Sequence, residues 1–394
     1  MLTRSVRCFA FALGVLYLGA ATAQSPPLLD VQGGKIRVVT VATGLVHPWS
    51  LAFLPDGKTL LVAEAGRIRV IHGDTLEPAP AYTVPAGTSK ENNDGLKTIA
   101  LHPKFADNKL VYFAYPISGE KGTTLAVGRG KFDGKKVDNV KQIFVADAWE
   151  ASGNMGGKLL FGPDNTLYVT VGDRDRLCCT GTEDNSLRMK AQSLMSDAGK
   201  TLRINDDGSI PKNNPFVGRA DAKPEIFTYG HRNGYGLAFN PETGVLWQAE
   251  IGPMGGDEIN ILEAGHNYGW PLVTMGRNYT GSQPGYHRDG MDDPRMFWVP
   301  SISPSSLAFY TGDKFPRWKG SMLVGSLNGM ALQRVSFNQP SQAERREPLL
   351  KQLNVRIRDV QQSPDGYLYV ATELRSGGTA ADGTVLRLEP AEGF

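Results

Sequence analysis

The chain reads as an all-β protein, a six-bladed β-propeller, on three observations. A unit of strand, tight turn and strand recurs six times, and its copies lie about 45–75 residues apart. Each copy is too short to bury its own apolar face, so the copies must pack on one another. Forty-six glycines and twenty-five prolines punctuate the short apolar runs. That pattern favours one large unit, although ~150 residues per domain would ordinarily suggest two or three.

The chain begins with Arg4 and Arg7, an apolar stretch from Cys8 to Leu18, and the small-x-small triplet Ala21-Thr22-Ala23. Residues 1–23 are therefore expected to be a secretory signal. The apolar run is shorter than the ~18–20 residues a membrane span needs. The mature chain, residues 24–394, is expected to be a single propeller domain in the periplasm or outside the cell, and none of its runs is long enough to cross a bilayer. Cleavage removes two of the 42 basic residues and none of the 40 acidic ones, leaving forty of each. A near-neutral chain points to neither nucleic acid nor a membrane surface as partner.

The copies are "PWSLAFLPDGKTLLVAEAGRIRVI" from Pro48, "DGLKTIALHPKFADNKLVYFAYP" from Asp94 and "GGKLLFGPDNTLYVTVGD" from Gly156, followed by "RNGYGLAFNPETGVLWQAEIGP" from Arg232, "SSLAFYTGDKFPRWKGSMLVGSL" from Ser305 and "IRDVQQSPDGYLYVATE" from Ile357. Alternating apolar positions such as Leu167, Val169 and Val171 fit a pleated strand, and PDG or PDN supplies the turn. The last strand, "GTVLRLEP" from Gly383, is expected to join the N-terminal "KIRVVTVATGL" and close the ring. The extra length at 174–231 and 254–304 reads as loops that build the binding face.

One stretch does not read as ordinary scaffold. "AEIGPMGGDEIN", residues 249–260, ends a blade-four strand with Gly-Pro, Gly-Gly and two acids, Asp257 and Glu258. A tight Gly252-Pro253 turn presents backbone carbonyls, and calcium accepts carbonyl oxygens together with carboxylates. The same residues also fit a plain turn with solvated acids.

Longer motifs carry a resemblance. "GHRNGYGLAFNP", "GPMGGDEINILEAGHNYGWP", "GKTLRINDDGSIPKNNPF", "GLKTIALHPKF" and "RIRDVQQSPDGYLYV" resemble the soluble aldose sugar dehydrogenases that depend on pyrroloquinoline quinone, the glucose/sorbosone dehydrogenase family. The likeness runs from about Gly44 to Leu388, and the family's fold is a six-bladed propeller. It implies that the carbonyls of Gly252 and Pro253 hold a calcium ion that also binds the quinone and polarises its reactive carbonyl. It further implies that Glu258 and the carbonyl of Tyr268 hold a second calcium. Arg232 and Asn233 match residues beside the quinone, Arg356 and Arg358 match carboxylate-binding arginines alternating on one strand face, and Tyr279 falls at a further contact.

Three positions depart from the family's pattern. The histidine that takes the sugar's proton is replaced by Asn154 in "SGNMGGKLLF", and asparagine is no general base. The quinone-binding glutamine becomes Asn93, and a lysine becomes Asn328 in "SLNG". Asp173, the carboxylate that orients the family's histidine, is kept. No histidine lies between Lys104 and Gly230, so a shifted alignment supplies no substitute; Asp173 or His231 is left to accept the proton. The other histidines, His47, His72, His102, His266 and His287, lack metal-ligand spacing.

Cys178 and Cys179, the cysteines of the mature chain, follow Asp173 in "GDRDRLCCTG". They either pair with each other, pair between chains or stay free. By analogy with the propeller alcohol dehydrogenases, a vicinal disulfide here would stack on the quinone.

Three readings stay open. The chain is an exported quinoprotein oxidising an aldose or related alcohol; a calcium-dependent hydrolase or lactonase in which Asp173 activates water; or a propeller that binds a sugar, peptide or partner without chemistry. The sequence names neither the sugar nor the electron acceptor, and fits a monomer or a homodimer.

Overall fold

The computed structural model describes residues 26–86, 88, 95–175, 185–338, 343–374 and 380–394. The signal segment, Asn93, Cys178 and Cys179 lie outside the described residues.

Six antiparallel sheets form the blades of a β-propeller. From the inside outward, blade one is Ser50–Phe53, Thr59–Glu64, Arg67–His72 and Thr75–Leu76, and blade two is Thr98–Leu101, Leu110–Gly119, Gly122–Phe132 and Val137–Val145. Blade three is Gly156–Phe161, Leu167–Val171, Lys200–Ile204 and Ile226–Tyr229, and blade four is Gly234–Phe239, Leu246–Glu250, Asp257–Leu262 and Met296–Trp298. Blade five is Pro304–Phe309, Met322–Ser326, Ala331–Asn338 and Ala343–Leu349. Blade six takes Arg356–Gln362, Leu368–Glu373 and Gly383–Pro390 from the C-terminal end, then Gly34–Leu45 and Leu28–Val31 from the N-terminal end. Inner strands touch in sequence order around the ring, and Arg356–Gln362 meets Ser50–Phe53 to complete it.

Second strands such as Thr59–Glu64, Leu167–Val171 and Leu368–Glu373 are buried along their whole length. Each is covered on both faces by neighbouring blades, so it is apolar almost without alternation. Between blades two and three pack Tyr112, Leu125, Leu159, Val169 and Leu202; between five and six, Trp318, Leu323, Leu332, Val360 and Val370. The predicted turns are held by their acids: Asp56 Oδ1 accepts the backbone N–H groups of Lys58 and Thr59, each at 2.8 Å, and Asp164 Oδ1 accepts the Thr166 hydroxyl at 2.7 Å.

The structure corrects two expectations about loops. Residues 174–231 contain the two outer strands of blade three, and 254–304 the two outer strands of blade four. These strands are only three to six residues long and far apart in sequence, so their alternation is weak. Among the described residues, no helix is long and apolar enough to cross a membrane.

Candidate functional site

The inner strands of blades three to six share a local irregularity. Each slips by one residue near its start: between Gly156 and Leu159, Gly234 and Gly236, Pro304 and Ser306, and Ile357 and Asp359. Such bulges bend a strand and re-aim its side chains. Here they lie at one end of the channel, beside a cavity of about 600 Å³.

Seven of the residues singled out from sequence line this cavity: Asn154, Arg232, Asn233, Pro253, Tyr279, Asn328 and Arg356. Met254 and Val299 stand exposed beside them. Four blades thus deliver polar groups to one space. Asp173 and Arg358 are not among the lining residues.

Asp173 lies behind Asn154. Its Oδ1 accepts Asn154 Nδ2 at 2.8 Å and the backbone N–H of Asp175 at 3.0 Å, while Oδ2 accepts the indole N–H of Trp270 at 2.7 Å. Burial pushes the Asp173 carboxyl above the usual carboxylate range, with the Arg232 charge and the Asn154 and Asp175 donors pulling the other way. The amide of Asn154 is held at both ends, because its Oδ1 accepts Asn233 Nδ2 at 3.2 Å. Asn233 Oδ1 in turn accepts Gly156 N at 3.1 Å.

His231 is placed differently. Its ring is buried between Thr228 Oγ1 at 2.9 Å and Glu250 Oε1 at 2.9 Å, and it stacks on Tyr268. It belongs to the scaffold that holds the start of blade four's inner strand, where Glu250 Oε2 accepts Arg232 N at 2.7 Å.

The loop 251–256 turns between two blade-four strands, and Asp257 and Glu258 open the second of them. A Cβ on Gly252 would lie 2.2 Å from the carbonyl oxygen of Gly256, and one on Gly256 would lie 2.1 Å from Gly276 N. Only glycine permits so close an approach of backbone to backbone. Asp257 is not a solvated acid: it accepts Gly252 N at 3.0 Å, Ile302 N at 2.7 Å, Ser303 N at 2.8 Å and the Ser301 hydroxyl. It clamps the turn to the start of blade five.

The two carbonyls of the turn each already accept one hydrogen bond. Arg232 Nη1 donates to Gly252 O at 2.7 Å and to Ile251 O at 3.0 Å; the Tyr279 hydroxyl donates to Pro253 O at 3.1 Å. A carbonyl has two lone pairs, so a second interaction remains open at each. Arg232 Nε is buried without a partner among the described residues.

Beside the turn is a void of about 10 Å³ touched by Glu250, Gly252, Pro253, Gly256, Glu258 and Trp270, room for one water or ion. Burial and the charge of Glu250 push the Glu258 carboxyl up to about 8. Nearby Asn260 donates to Glu250 and Glu258 while its own Oδ1 is buried without a partner. A buried carboxylate short of counter-charge and an unpaired amide oxygen are the donors a hard cation uses. Tyr268 lies outside this void; its hydroxyl donates to Ile261 O at 2.6 Å. No cluster of three His, Cys, Asp or Glu side chains suited to a metal occurs among the described residues, so a cation here would depend on backbone oxygens.

The expectation that Arg356 and Arg358 alternate on one strand face is corrected. The bulge between Ile357 and Asp359 breaks the period of two. Arg356 faces the cavity, whereas the Arg358 side chain is only 6% exposed and lies over the Trp49 ring, 4.2 Å from its centroid. Both guanidiniums meet Glu373 Oε1, and Glu373 Oε2 meets His47 Nδ1 at 2.7 Å.

Sequence reasoning missed Trp270, Glu373 and the clamp of Asp257. Glu64, Glu250 and Glu373 each end the second strand of a blade, in "LLVAE", "LWQAE" and "YVATE". Their recurrence inside the repeat was the available signal, since a buried acid at a strand end must be answered by donors.

With this geometry in view, comparison with known proteins is informative. Residues 45–386 match the family model described as glucose/sorbosone dehydrogenase. The chain is 36% identical over 351 residues to the aldose sugar dehydrogenase YliI of Escherichia coli, covering 87% of this chain and 91% of that protein. It is 28% identical to quinoprotein glucose dehydrogenase B of Acinetobacter calcoaceticus, over 88% of this chain and 87% of that one. The solved structure of the PQQ-bound aldose sugar dehydrogenase from Streptomyces coelicolor superposes with a TM-score of 0.71 at 29% identity, covering 93% of this chain and 99% of that one.

Proposed function

Because the chain belongs to the glucose/sorbosone dehydrogenase family, we propose that it is an exported quinoprotein oxidising an aldose sugar, with pyrroloquinoline quinone as oxidant and calcium as its metal. One observation carries this reading: the cavity of about 600 Å³ gathers Asn154, Arg232, Asn233, Tyr279, Asn328 and Arg356 from separate blades and loops. Export rests on residues 1–23.

The residues present suit the group. Arg232 has a buried Nε without a partner, and its charge favours oxygens that become negative during reaction. Arg356 reaches the cavity to meet a carboxylate. Gly252 and Pro253 would offer carbonyls to calcium, and Glu258 would meet a second ion in the small void beside the turn. When bound, the quinone supplies the acceptor for a hydride from the sugar's anomeric carbon.

The chain's own part is orientation and proton handling. Asn154 Oδ1 positions the sugar hydroxyl but takes no proton. Of the two candidate acceptors, Asp173 is favoured over His231. Asp173 is one hydrogen bond from the cavity wall, and burial raises its proton affinity; the proton reaches it when Asn154 turns aside.

The test is calorimetric titration of chelator-stripped mature protein with the quinone, with and without calcium, alongside dye-linked oxidation of aldoses. Tight calcium-dependent binding and sugar-dependent dye reduction are expected. Absence of binding at micromolar quinone overturns the reading, and chelator-sensitive hydrolysis without quinone replaces it with the lactonase.

A further inference from the structure

Arg188 ends the short helix Asn185–Arg188, between the second and third strands of blade three, and its side chain is 1% exposed. Its Nε donates to Asp175 Oδ2 at 2.7 Å, its Nη1 donates to Asn278 Oδ1 at 3.0 Å, and its guanidinium carbon lies 5.2 Å from the centroid of the Trp270 ring. Two of these three partners are the residues that hold Asp173. Asp175 gives its backbone N–H to Asp173 Oδ1 at 3.0 Å, and Trp270 gives its indole N–H to Oδ2 at 2.7 Å. One guanidinium thus lies behind both donors, one for each oxygen of the carboxylate.

The same segment reinforces the arrangement. In the turn that follows, Met189–Gln192, Gln192 Nε2 donates to Trp270 O at 2.7 Å. The carbonyl of Asp175 accepts Asn154 N at 3.2 Å, and the third partner, Asn278, precedes Tyr279 in the cavity wall. A buried ion pair adds little net stability, since apolar side chains of similar volume often serve as well or better. What Arg188 and Asp175 supply instead is direction, because a planar guanidinium offers fixed donors to two partners at once. Groups that lock the geometry of a site from behind govern its rate without touching the reacting atoms.

We propose that Arg188 is a positioning residue for the sugar oxidation: it fixes Asp173, and through it Asn154, by holding the two donors that aim the carboxylate. This rests on the quinoprotein reading and adds to it a residue that does not line the cavity.

The experiment is dye-linked, steady-state oxidation of D-glucose, D-xylose and maltose by mature protein loaded with calcium and pyrroloquinoline quinone, with quinone affinity read by calorimetry. The chains compared are the wild type, Arg188→Met, Arg188→Lys, Asp173→Asn and the Arg188→Met/Asp173→Asn double variant. Misplacing a reacting group by about 1 Å costs up to about 10² in rate, so Arg188→Met should lower kcat by about 10–10²-fold, with the sugar KM and the quinone Kd within about threefold of wild type. Arg188→Lys keeps the charge but cannot reach Asp175 and Asn278 together, and should lose about fivefold. In the Asp173→Asn background Arg188→Met should cost less than about threefold, because both changes remove the same arrangement. A residue that only supports the fold lowers both backgrounds alike. If Arg188→Met does not fold, Arg188→Lys decides in the same two backgrounds; if Asp173→Asn is inactive, the split between kcat and KM decides. A kcat within about twofold of wild type, a loss carried by KM or Kd, or an equal loss in both backgrounds overturns the role of Arg188 and leaves the quinoprotein reading intact. A wild type that oxidises none of the sugars overturns both.

Discussion

Asn154 stands between Asp173 and the cavity, its Nδ2 donating to Asp173 Oδ1 at 2.8 Å while Asp173 itself is fully buried. A carboxylate in this position orients whatever side chain occupies 154. Asn154→His should therefore place an imidazole with one nitrogen on Asp173 and the other toward the sugar. A positioned base is worth about 10²–10⁴ in rate, so dye-linked turnover should rise at least tenfold, and adding Asp173→Asn should cancel the gain. Unchanged turnover in the single variant would remove position 154 from proton transfer. In the native background, wild-type rates for Asp173→Asn would exclude Asp173 as acceptor.

Trp270 reaches Asp173 with its indole N–H at 2.7 Å. Trp270→Phe keeps the ring and deletes the donor, leaving a buried carboxylate oxygen unanswered. The cost should be about 1–3 kcal/mol of stability, read from urea unfolding. A change below a few tenths of that would mean the carboxylate is satisfied elsewhere.

Asp257 joins Gly252 N to the backbone and hydroxyl donors of 301–303. Asp257→Asn brings an amide N–H against at least one of those donors. A loss of about 2–3 kcal/mol is expected from charge-assisted bonds of this kind, with weaker calcium affinity because the carbonyls of Gly252 and Pro253 lose their anchor. Calcium affinity equal to wild type would show that the turn holds its shape without the clamp.

Glu258 gives a pH signature. Its carboxyl is pushed up to about 8 from an ordinary 4.5, so below the ordinary value both folded and unfolded chains are protonated. Between about 4.5 and 8 the metal-free fold holds the extra proton, and stability must fall as pH rises through that window. A bound cation would replace the proton. The rise in melting temperature on adding calcium should thus be larger at pH 8 than at pH 5, and Glu258→Gln should flatten the metal-free trend. A metal-free melting temperature independent of pH in the wild type would count against it.

The propeller and the set of cavity residues could be read from repeats and motifs because both are local: six turns with their acids, and short runs such as "GHRN" that place Arg232 and Asn233 side by side. What stayed hidden depends on contacts between distant segments. Trp270 meets Asp173 across two blades, and Glu373 collects His47, Arg356 and Arg358 from both ends of the chain. The bulge at Arg358 was invisible because strand alternation presumes an even register, and one slipped residue turns a side chain from the cavity to the Trp49 ring. Asp257 looked like a solvated acid because its four partners lie on the neighbouring blade and inside its own turn.

The closing blade has a bearing on when the cavity comes into being. Gly34–Leu45 pairs with Leu28–Val31 at once but with Gly383–Pro390 only when the last strand is made, so this N-terminal hairpin waits for the end of synthesis before it can join blade six. Contacts at such separation form late and slowly. The nascent chain can fold blades two to five in turn, but Arg356, Arg358 and His47 meet only once the ring shuts. A chain cut short before Gly383 would carry all of the cavity's lining residues with no closed ring to hold them together.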